Sequence, residues 1–313
     1  MKEKIIWTLA EWGEHSLAPV SYEMLNRALE LKKKMQSAKI VSLLLSEEKD
    51  KKEIKKLNEY GADEILWVRD SRLEEKNIEN EVSIIIDLLK EQKPEIFLAG
   101  ATAYGRTLLP YLAGKVMTGL TADCTILDID SETGDLLQTR PAIGGNILAT
   151  IKCPSHRPQM ATIRPHSTAI PPRNTEAKES IVMIEPKDEH FHSRVSFLGK
   201  EKNDEKEISI SDAERIVVAG KGMGKEENIK HAEELADLLN AAVGATREAV
   251  DRGWMSYPHQ VGLSGKTVNP KLCFSIGASG SIQHLAGMQT SEHIIAINKD
   301  PEAPFFKAAD YGV

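Results

Sequence analysis

The sequence is poor in the features that would settle most ligand classes at a glance. It has only three cysteines, Cys124, Cys153 and Cys273, far apart and with no Cys-x-x-Cys pair. That spacing supports neither a zinc site nor an iron–sulfur cluster. Few, scattered thiols suit a reducing compartment, so a cytoplasmic protein is expected. No apolar run approaches the ~18 residues of a membrane span, and membrane insertion is not expected. The N-terminus, Met-Lys-Glu-Lys-Ile-Ile-Trp, enters an apolar run at once. It shows neither an h-region nor an Arg/Ser-rich presequence, so secretion and organelle import are not expected either. A basic excess is also missing: 40 Lys and Arg stand against 47 Asp and Glu, a net charge of -7, which argues against nucleic-acid binding. No general-base dyad or nucleophile elbow is visible.

What is present is length and alternation. The 313 residues suffice for two domains with cores of ordinary size. Residues 4–10 read as a strand, 19–35 as an amphipathic helix and 39–45 as a strand. A lysine-rich helix to Tyr60, strand 64–68, helix 77–91, strand 95–98 and a helix after Gly100-Ala-Thr continue the pattern. Such βα repetition predicts a mostly parallel sheet. From Thr121 the segments shorten and turns intervene, Ser131 to Gly134 among them, so ADCTILDID, LLQTRPA, NILATIKC and QMATIRP read as antiparallel additions to the same domain. Residues 164–178 read as an extended arm and 182–208 as a charged crossing segment. The expected division is therefore 1–204, an N-terminal α/β domain with an arm over about 164–204, and 205–313, a Rossmann-like α/β domain.

The second domain carries the ligand signal. Leu272 to Ile276 is an apolar run that enters the turn Gly277-Ala-Ser-Gly-Ser281, and a second apolar run, His293 to Ile297, stops at Asn298. Strand, glycine-serine turn and helix start deliver backbone N–H groups and two hydroxyls to one spot, which suits a pyrophosphate. The plainer reading is a chain reversal between strand and helix. Upstream, strand 215–219 leads into glycines 220, 222 and 224 and a helix over 225–240. A phosphate-binding P-loop is rejected there, because its first glycine position is Ala219 and its hydroxyl position is Glu226; the dinucleotide fingerprint fails at Lys225. Thr246-Arg247 and Gln260 to Gly265 follow further apolar runs on the same side of the sheet, where ligands of open α/β sheets gather. Taken singly, Arg247 reads as a surface ion-pairing residue, Ser264 as a turn former and His284 as a helix histidine.

Four stretches closely resemble the alpha subunit of electron transfer flavoproteins: GLTADCTILDID (119–130), GASGSIQHLAGM (277–288), IAINKDPEAP (295–304) and KAADYGV (307–313). The resemblance covers nearly the whole chain and implies FAD as cofactor and a beta subunit as partner in a heterodimer. It also implies electron transfer between flavoprotein dehydrogenases, such as the acyl-CoA dehydrogenase type, and an acceptor, by simple shuttling or by NADH-dependent bifurcation. The site it implies is Lys221, Thr246, Arg247, Gln260, Val261, Gly262, Leu263, Ser264, Gly277, Ser279, Gly280, Ser281, Ile282, Gln283, His284 and Asn298. Within that set Ser279 to His284 wrap the diphosphate and reach the flavin, Val261 to Ser264 cover the isoalloxazine, and Asn298 lies on the adenosine side. Arg247 is the expected cation, and His284 the expected donor, for charge that builds at the N1–C2=O edge on reduction. The resemblance departs at one point: relatives continue beyond Asp-Tyr-Gly-Val with an Asp-Leu pair that also touches the FAD and a final helix, whereas the sequence given stops at Val313. Aromatics are 5% of the chain, too few to close a flavin ring on both faces, so the beta subunit is expected to supply the second. The second domain is then expected to swing on the arm to meet its redox partners. A second reading is an NAD- or CoA-dependent oxidoreductase using the same turn, and a third is a nucleotide sensor without redox chemistry.

Overall fold

Apolar runs alternating with helices set the elements in both halves of the chain. The computed structural model describes every residue except 1–2, 36, 48, 142–147, 200–209, 212 and 290. The described residues form two compact units, one reaching residue 199 and one starting at residue 210. The boundary expected near residue 205 lies outside the described residues.

The first unit runs β1 (Lys4–Leu9), α1 (Pro19–Lys34), β2 (Ala38–Ser46), α2 (Lys51–Glu59), β3 (Glu64–Arg69), α3 (Ile78–Gln92), β4 (Ile96–Gly100) and α4 (Gly105–Val116). It continues with β5 (Leu120–Cys124), β6 (Ile126–Ile129), β7 (Leu136–Pro141), β8 (Leu148–Lys152), β9 (Gln159–Ile163) and β10 (Ile181–Ile184). Local chemistry fixes the helix starts: Pro19 opens α1, Asp50 accepts from Lys52 N before α2, and Asn77 accepts from Glu79 N and Asn80 N before α3. Seven strands pair in the order β10-β3-β2-β1-β4-β9-β5, all of them parallel. Apolar layers lie on both faces, one around Ile6, Leu25 and Leu44, the other around Trp7, Phe97 and Leu109, as a parallel sheet requires.

Three expectations need correction here. Among the described residues only β6, β7 and β8 form an antiparallel sheet; β5 and β9 belong to the parallel one. The alternation in QMATI misleads because its polar side chains are as buried as its apolar ones: Gln159 Oε1 accepts from Leu136 N at 2.9 Å and Thr162 Oγ1 from Asp123 N at 2.9 Å. The segment read as a crossing from 182 contains an edge strand, β10, parallel to β3. The arm is not free. Arg173 pairs with Glu59 at 2.6 Å, Ser180 N donates to Asn58 Oδ1 at 3.1 Å, and Ser193 Oγ and Arg194 N donate to Glu79 at 2.9 and 2.8 Å. A swing about this arm would break these bonds, so residues 164–199 are a strap on the first unit and not a hinge.

The second unit holds β11 (Arg215–Ala219), α5 (Ile229–Leu239), β12 (Ala242–Ala245), α6 (Arg247–Asp251), β13 (Leu272–Ile276), α7 (Ile282–Leu285), β14 (His293–Ile297) and β15 (Tyr311–Gly312). Its five strands are parallel in the order β12-β11-β13-β14-β15. This is a doubly wound, Rossmann-like sheet whose order reverses between β11 and β13. The α/β architecture with a parallel first sheet and a Rossmann-like second unit thus matches the reading from the sequence, apart from the strands corrected above.

Candidate functional site

At the reversal point two turns leave neighbouring strand ends, residues 220–224 after β11 and 277–281 after β13. They pack backbone against backbone: Gly222 N donates to Gly277 O at 2.8 Å. A Cβ on Gly222 would stand 2.6 Å from that oxygen, and Gly277 itself sits at φ +68°. The glycines are therefore demanded by close approach and left-handed backbone, which explains why they match no phosphate fingerprint. Asn298, at the end of β14, braces the second turn: its amide donates to Ala278 O at 2.8 Å and its oxygen accepts from Asp300 N at 3.0 Å.

The turn after β13 then presents a row of donors. Among the described residues, the backbone N–H groups of Ser279, Gly280, Ser281, Ile282 and Gln283 have no hydrogen-bond partner. Helix α7 is a single turn of four residues, so its dipole is small and the N–H groups themselves provide the positive cradle. The cations nearby carry their own counter-ions: Lys221 Nζ pairs with Glu248 at 2.6 Å and Arg247 with Asp251 at 3.3 Å. The hydrogen bond from Lys221 holds the Glu248 carboxyl below its usual range. Pairs this exposed are weak, so a ligand anion can displace either carboxylate.

A loop from Gln260 to Gly265 closes the far end. Val261 N donates to Ala245 O at 2.9 Å and Leu263 N to Gln283 O at 2.7 Å, tying the loop to β12 on one side and to the cradle on the other. Gln260 Nε2 donates to Ser264 Oγ at 3.0 Å, which leaves the Ser264 hydroxyl hydrogen free to donate to a ligand. His284 is 5% exposed and lies 5.8 Å from the Phe305 ring, centroid to centroid. Its Nδ1 stands 3.0 Å from Val261 O, whereas its buried Nε2 has no partner. Burial pulls the His284 pKa below 6.5, the Val261 carbonyl opposing it. Because a carbonyl only accepts, Nδ1 carries the hydrogen and Nε2 of the neutral ring offers a lone pair. The donor expected from the sequence is therefore an acceptor until it gains a proton.

These elements surround a cleft of about 840 Å³, well within the range of small-molecule sites. Lys221, Thr246, Arg247, Gln260, Val261, Gly262, Leu263, Ser264, Gly277, Ser279, Gly280, Ser281, Gln283, His284 and Asn298 line it. Ile282 does not: its side chain is 41% exposed, and only its N–H joins the cradle. Sequence reasoning missed Glu248, Asp251, Lys299, Asp300, Ala303 and Pro304, which also line the cleft. Asp251 was findable, since it stands four residues after Arg247 on the short helix α6. Lys299 to Pro304 lay in plain view in the run after Asn298 but carried no chemical signal of their own.

An orphaned, buried Nε2 and five free N–H groups at one reversal point are what a ligand with both a phosphate and a polar ring edge requires, so the residues present fit FAD. Comparison with known proteins agrees. Residues 6–189 match the electron transfer flavoprotein domain and residues 209–289 the electron transfer flavoprotein FAD-binding domain. The chain is 43% identical over 310 residues to the electron transfer flavoprotein subunit alpha of Thermoanaerobacterium thermosaccharolyticum, covering 99% of this chain and 93% of that one. It is 38% identical over 338 residues to the acryloyl-CoA reductase electron transfer subunit beta of Anaerotignum propionicum, covering 98% and 91%. It is also 38% identical over 300 residues to the lactate dehydrogenase (NAD(+),ferredoxin) subunit LctC of Acetobacterium woodii, covering 96% and 71%. No helix among the described residues is long and apolar enough to cross a membrane. The chain belongs to the electron transfer flavoprotein family as an alpha subunit, and its FAD-binding domain is the second unit.

Proposed function

We propose that the cleft at the β11/β13 strand ends holds the FAD, with the diphosphate on the N–H groups of Ser279 to Gln283 and the isoalloxazine between His284 and the Val261 to Ser264 loop. The observation that carries this reading is the row of five unpartnered N–H groups ending beside the orphaned Nε2 of His284. FAD supplies reversible one- and two-electron chemistry. The chain's own residues bind and tune it. Lys221 and Arg247 exchange Glu248 and Asp251 for ligand anions, Gly262 and Leu263 keep water from the ring, and the Ser264 hydroxyl donates toward a ring nitrogen. Asn298 acts by bracing the Ala278 carbonyl and touches the adenosine side through what remains of its amide.

The flavin is finished by a partner. Leu263 and Tyr257 are 61% and 62% exposed beside the loop, apolar cover that stands open on one side. An electron transfer flavoprotein beta subunit closes it in a heterodimer, which passes electrons between a flavoprotein dehydrogenase of the acyl-CoA dehydrogenase type and an acceptor. The acryloyl-CoA reductase and NAD(+),ferredoxin names of two relatives support a bifurcating arrangement, with a second nucleotide, AMP or FAD, in the beta subunit. Three free thiols suit a cytoplasmic setting. The test is expression with and without the beta subunit. Co-expression is expected to give a yellow 1:1 heterodimer with oxidised flavin bands near ~450 nm, and the alpha chain alone to lose FAD or aggregate. A colourless complex that binds NAD would overturn the reading.

A further inference from the structure

The cleft proposed above for FAD takes an anion, yet its charged side chains give it no positive surplus. Lys221, Arg247 and Lys299 line it together with Glu248, Asp251 and Asp300, three of each sign among the described residues. Two of these acids serve only their own segments. Asp251 pairs with Arg247 along α6 at 3.3 Å, and Asp300 accepts from Glu302 N at 3.0 Å. Glu248 reaches across to another turn. Thr246 N donates to Ala219 O at 3.0 Å, which sets the start of α6 beside the end of β11. From there the Glu248 carboxylate meets Lys221 Nζ at 2.6 Å. The same oxygen takes Arg252 at 3.3 Å, whose guanidinium stands 5.6 Å from the Trp254 ring centroid.

Resting on the reading that FAD lies in this cleft, we propose that Glu248 acts against the cofactor. It draws Lys221 off the diphosphate and sets a negative charge on the cleft wall, so that it loosens FAD and lowers the flavin potential. Lys221 carries a compact charge on a flexible stem with three rotatable donors, so competition decides which anion it serves. The hydrogen bond from Lys221, joined by that from Arg252, holds the Glu248 carboxyl below its usual range, and the competitor is ionised at neutral pH. Reduction adds negative charge to the flavin, and a carboxylate on the same wall opposes it.

The pair is not needed to hold the cleft together. Backbone bonds already join the strand-end turns: Gly220 N to Ile276 O and Gly222 N to Gly277 O, both at 2.8 Å, and Thr246 N to Ala219 O. The Lys221 and Glu248 side chains are 57% and 50% exposed, where an ion pair contributes little to stability. A tie that the fold needed would loosen the site when cut. A competitor that is removed should tighten it, and this difference in sign separates the two roles.

Glu248→Gln keeps the shape of the side chain and removes its charge. The test compares it with wild type in the co-purified two-subunit protein, following the flavin that Gly277→Val removes. Release of that flavin, read by its fluorescence on dilution, should be about two- to fivefold slower in Glu248→Gln at low salt, the range for exposed ion pairs. Its potential, read by spectroelectrochemistry, should be higher. The difference in release should shrink between about 0.01 M and about 1 M salt, as the Debye length falls from roughly 30 Å to 3 Å. Faster release, an unchanged rate and potential, or a difference that salt leaves intact overturns the proposal. Glu248→Ala carries the same expected signs and decides if Glu248→Gln does not assemble. If Gly277→Val empties the cleft while Glu248→Gln behaves as wild type, this proposal alone falls; if Gly277→Val keeps its full FAD, the cofactor placement falls with it.

Discussion

The two units have the same kind of strand-order reversal and use it in opposite ways. In the first unit the order turns between β1 and β4, and the chain fills the crevice itself. Glu11, 7% exposed, accepts from the Thr102 hydroxyl at 2.9 Å on both carboxyl oxygens, while Thr102 Oγ1 accepts from Gly105 N at 3.0 Å, at the start of α4. Behind them Tyr104 is influenced by both Glu81 and Glu11, and Lys76 acts on both acids. The donor that a phosphate would use at this helix start is taken, and two buried carboxyls would repel one. In the second unit the same position offers five free N–H groups and a cleft of about 840 Å³. Topology offers a ligand site twice; the side chains at the strand ends decide where one can form.

The comparison can be broken most severely at Gly277. An added Cβ would lie 2.8 Å from the Gly222 backbone at φ +68°, so Gly277→Ala should cost the second unit roughly 2–4 kcal/mol through left-handed strain and overpacking, read by urea unfolding with Trp254 fluorescence. In the first unit the protonatable crevice predicts a pH effect. Burial raises the Glu81 carboxyl to about 7 from 4.5, Tyr104 and Lys76 opposing it. A raised folded value means the stabilising proton is present below 4.5 and is lost as pH rises through 7. Glu81→Gln should therefore be more stable than wild type at pH 8, by roughly 2–3 kcal/mol, and the gap should close toward pH 5. Thermal unfolding across that range checks it. Thr102→Val leaves Glu11 and Gly105 N without their partner and should destabilise the first unit by about 1–3 kcal/mol, measured the same way. Smallest is Ser264→Ala, which removes one donor near the flavin worth roughly 1 kcal/mol. FAD should stay bound and its potential should fall, by spectroelectrochemistry; an unchanged potential would remove Ser264 from the tuning set.

The sequence was legible where period and punctuation agreed. The run Ile216 to Val218 is buried on both faces, and the glycine turns that follow strands pointed to the reversal point of the second unit. It misled where a polar side chain served an internal bond. Gln159 and Thr162 made β9 look half exposed, although they cap Leu136 N and Asp123 N from inside the core. The strap failed to read as part of the first unit because its ties, Arg173 to Glu59 and Ser193 to Glu79, join residues more than a hundred positions apart. His284 was visible as a site residue, but its tautomer depends on Val261 O across 23 positions of chain, which no local pattern encodes.

The central claim is that the ligand lies at the reversal point of the second unit and not of the first. The direct measurement is FAD per alpha chain, from flavin released by acid after gel filtration of the co-expressed two-subunit protein, in wild type, Gly277→Val and Thr102→Val. The account predicts one FAD in the alpha-chain site of wild type and of Thr102→Val, and loss of that FAD in Gly277→Val with any nucleotide of the partner subunit retained. Full flavin content in Gly277→Val, or its loss in a folded Thr102→Val, would contradict it.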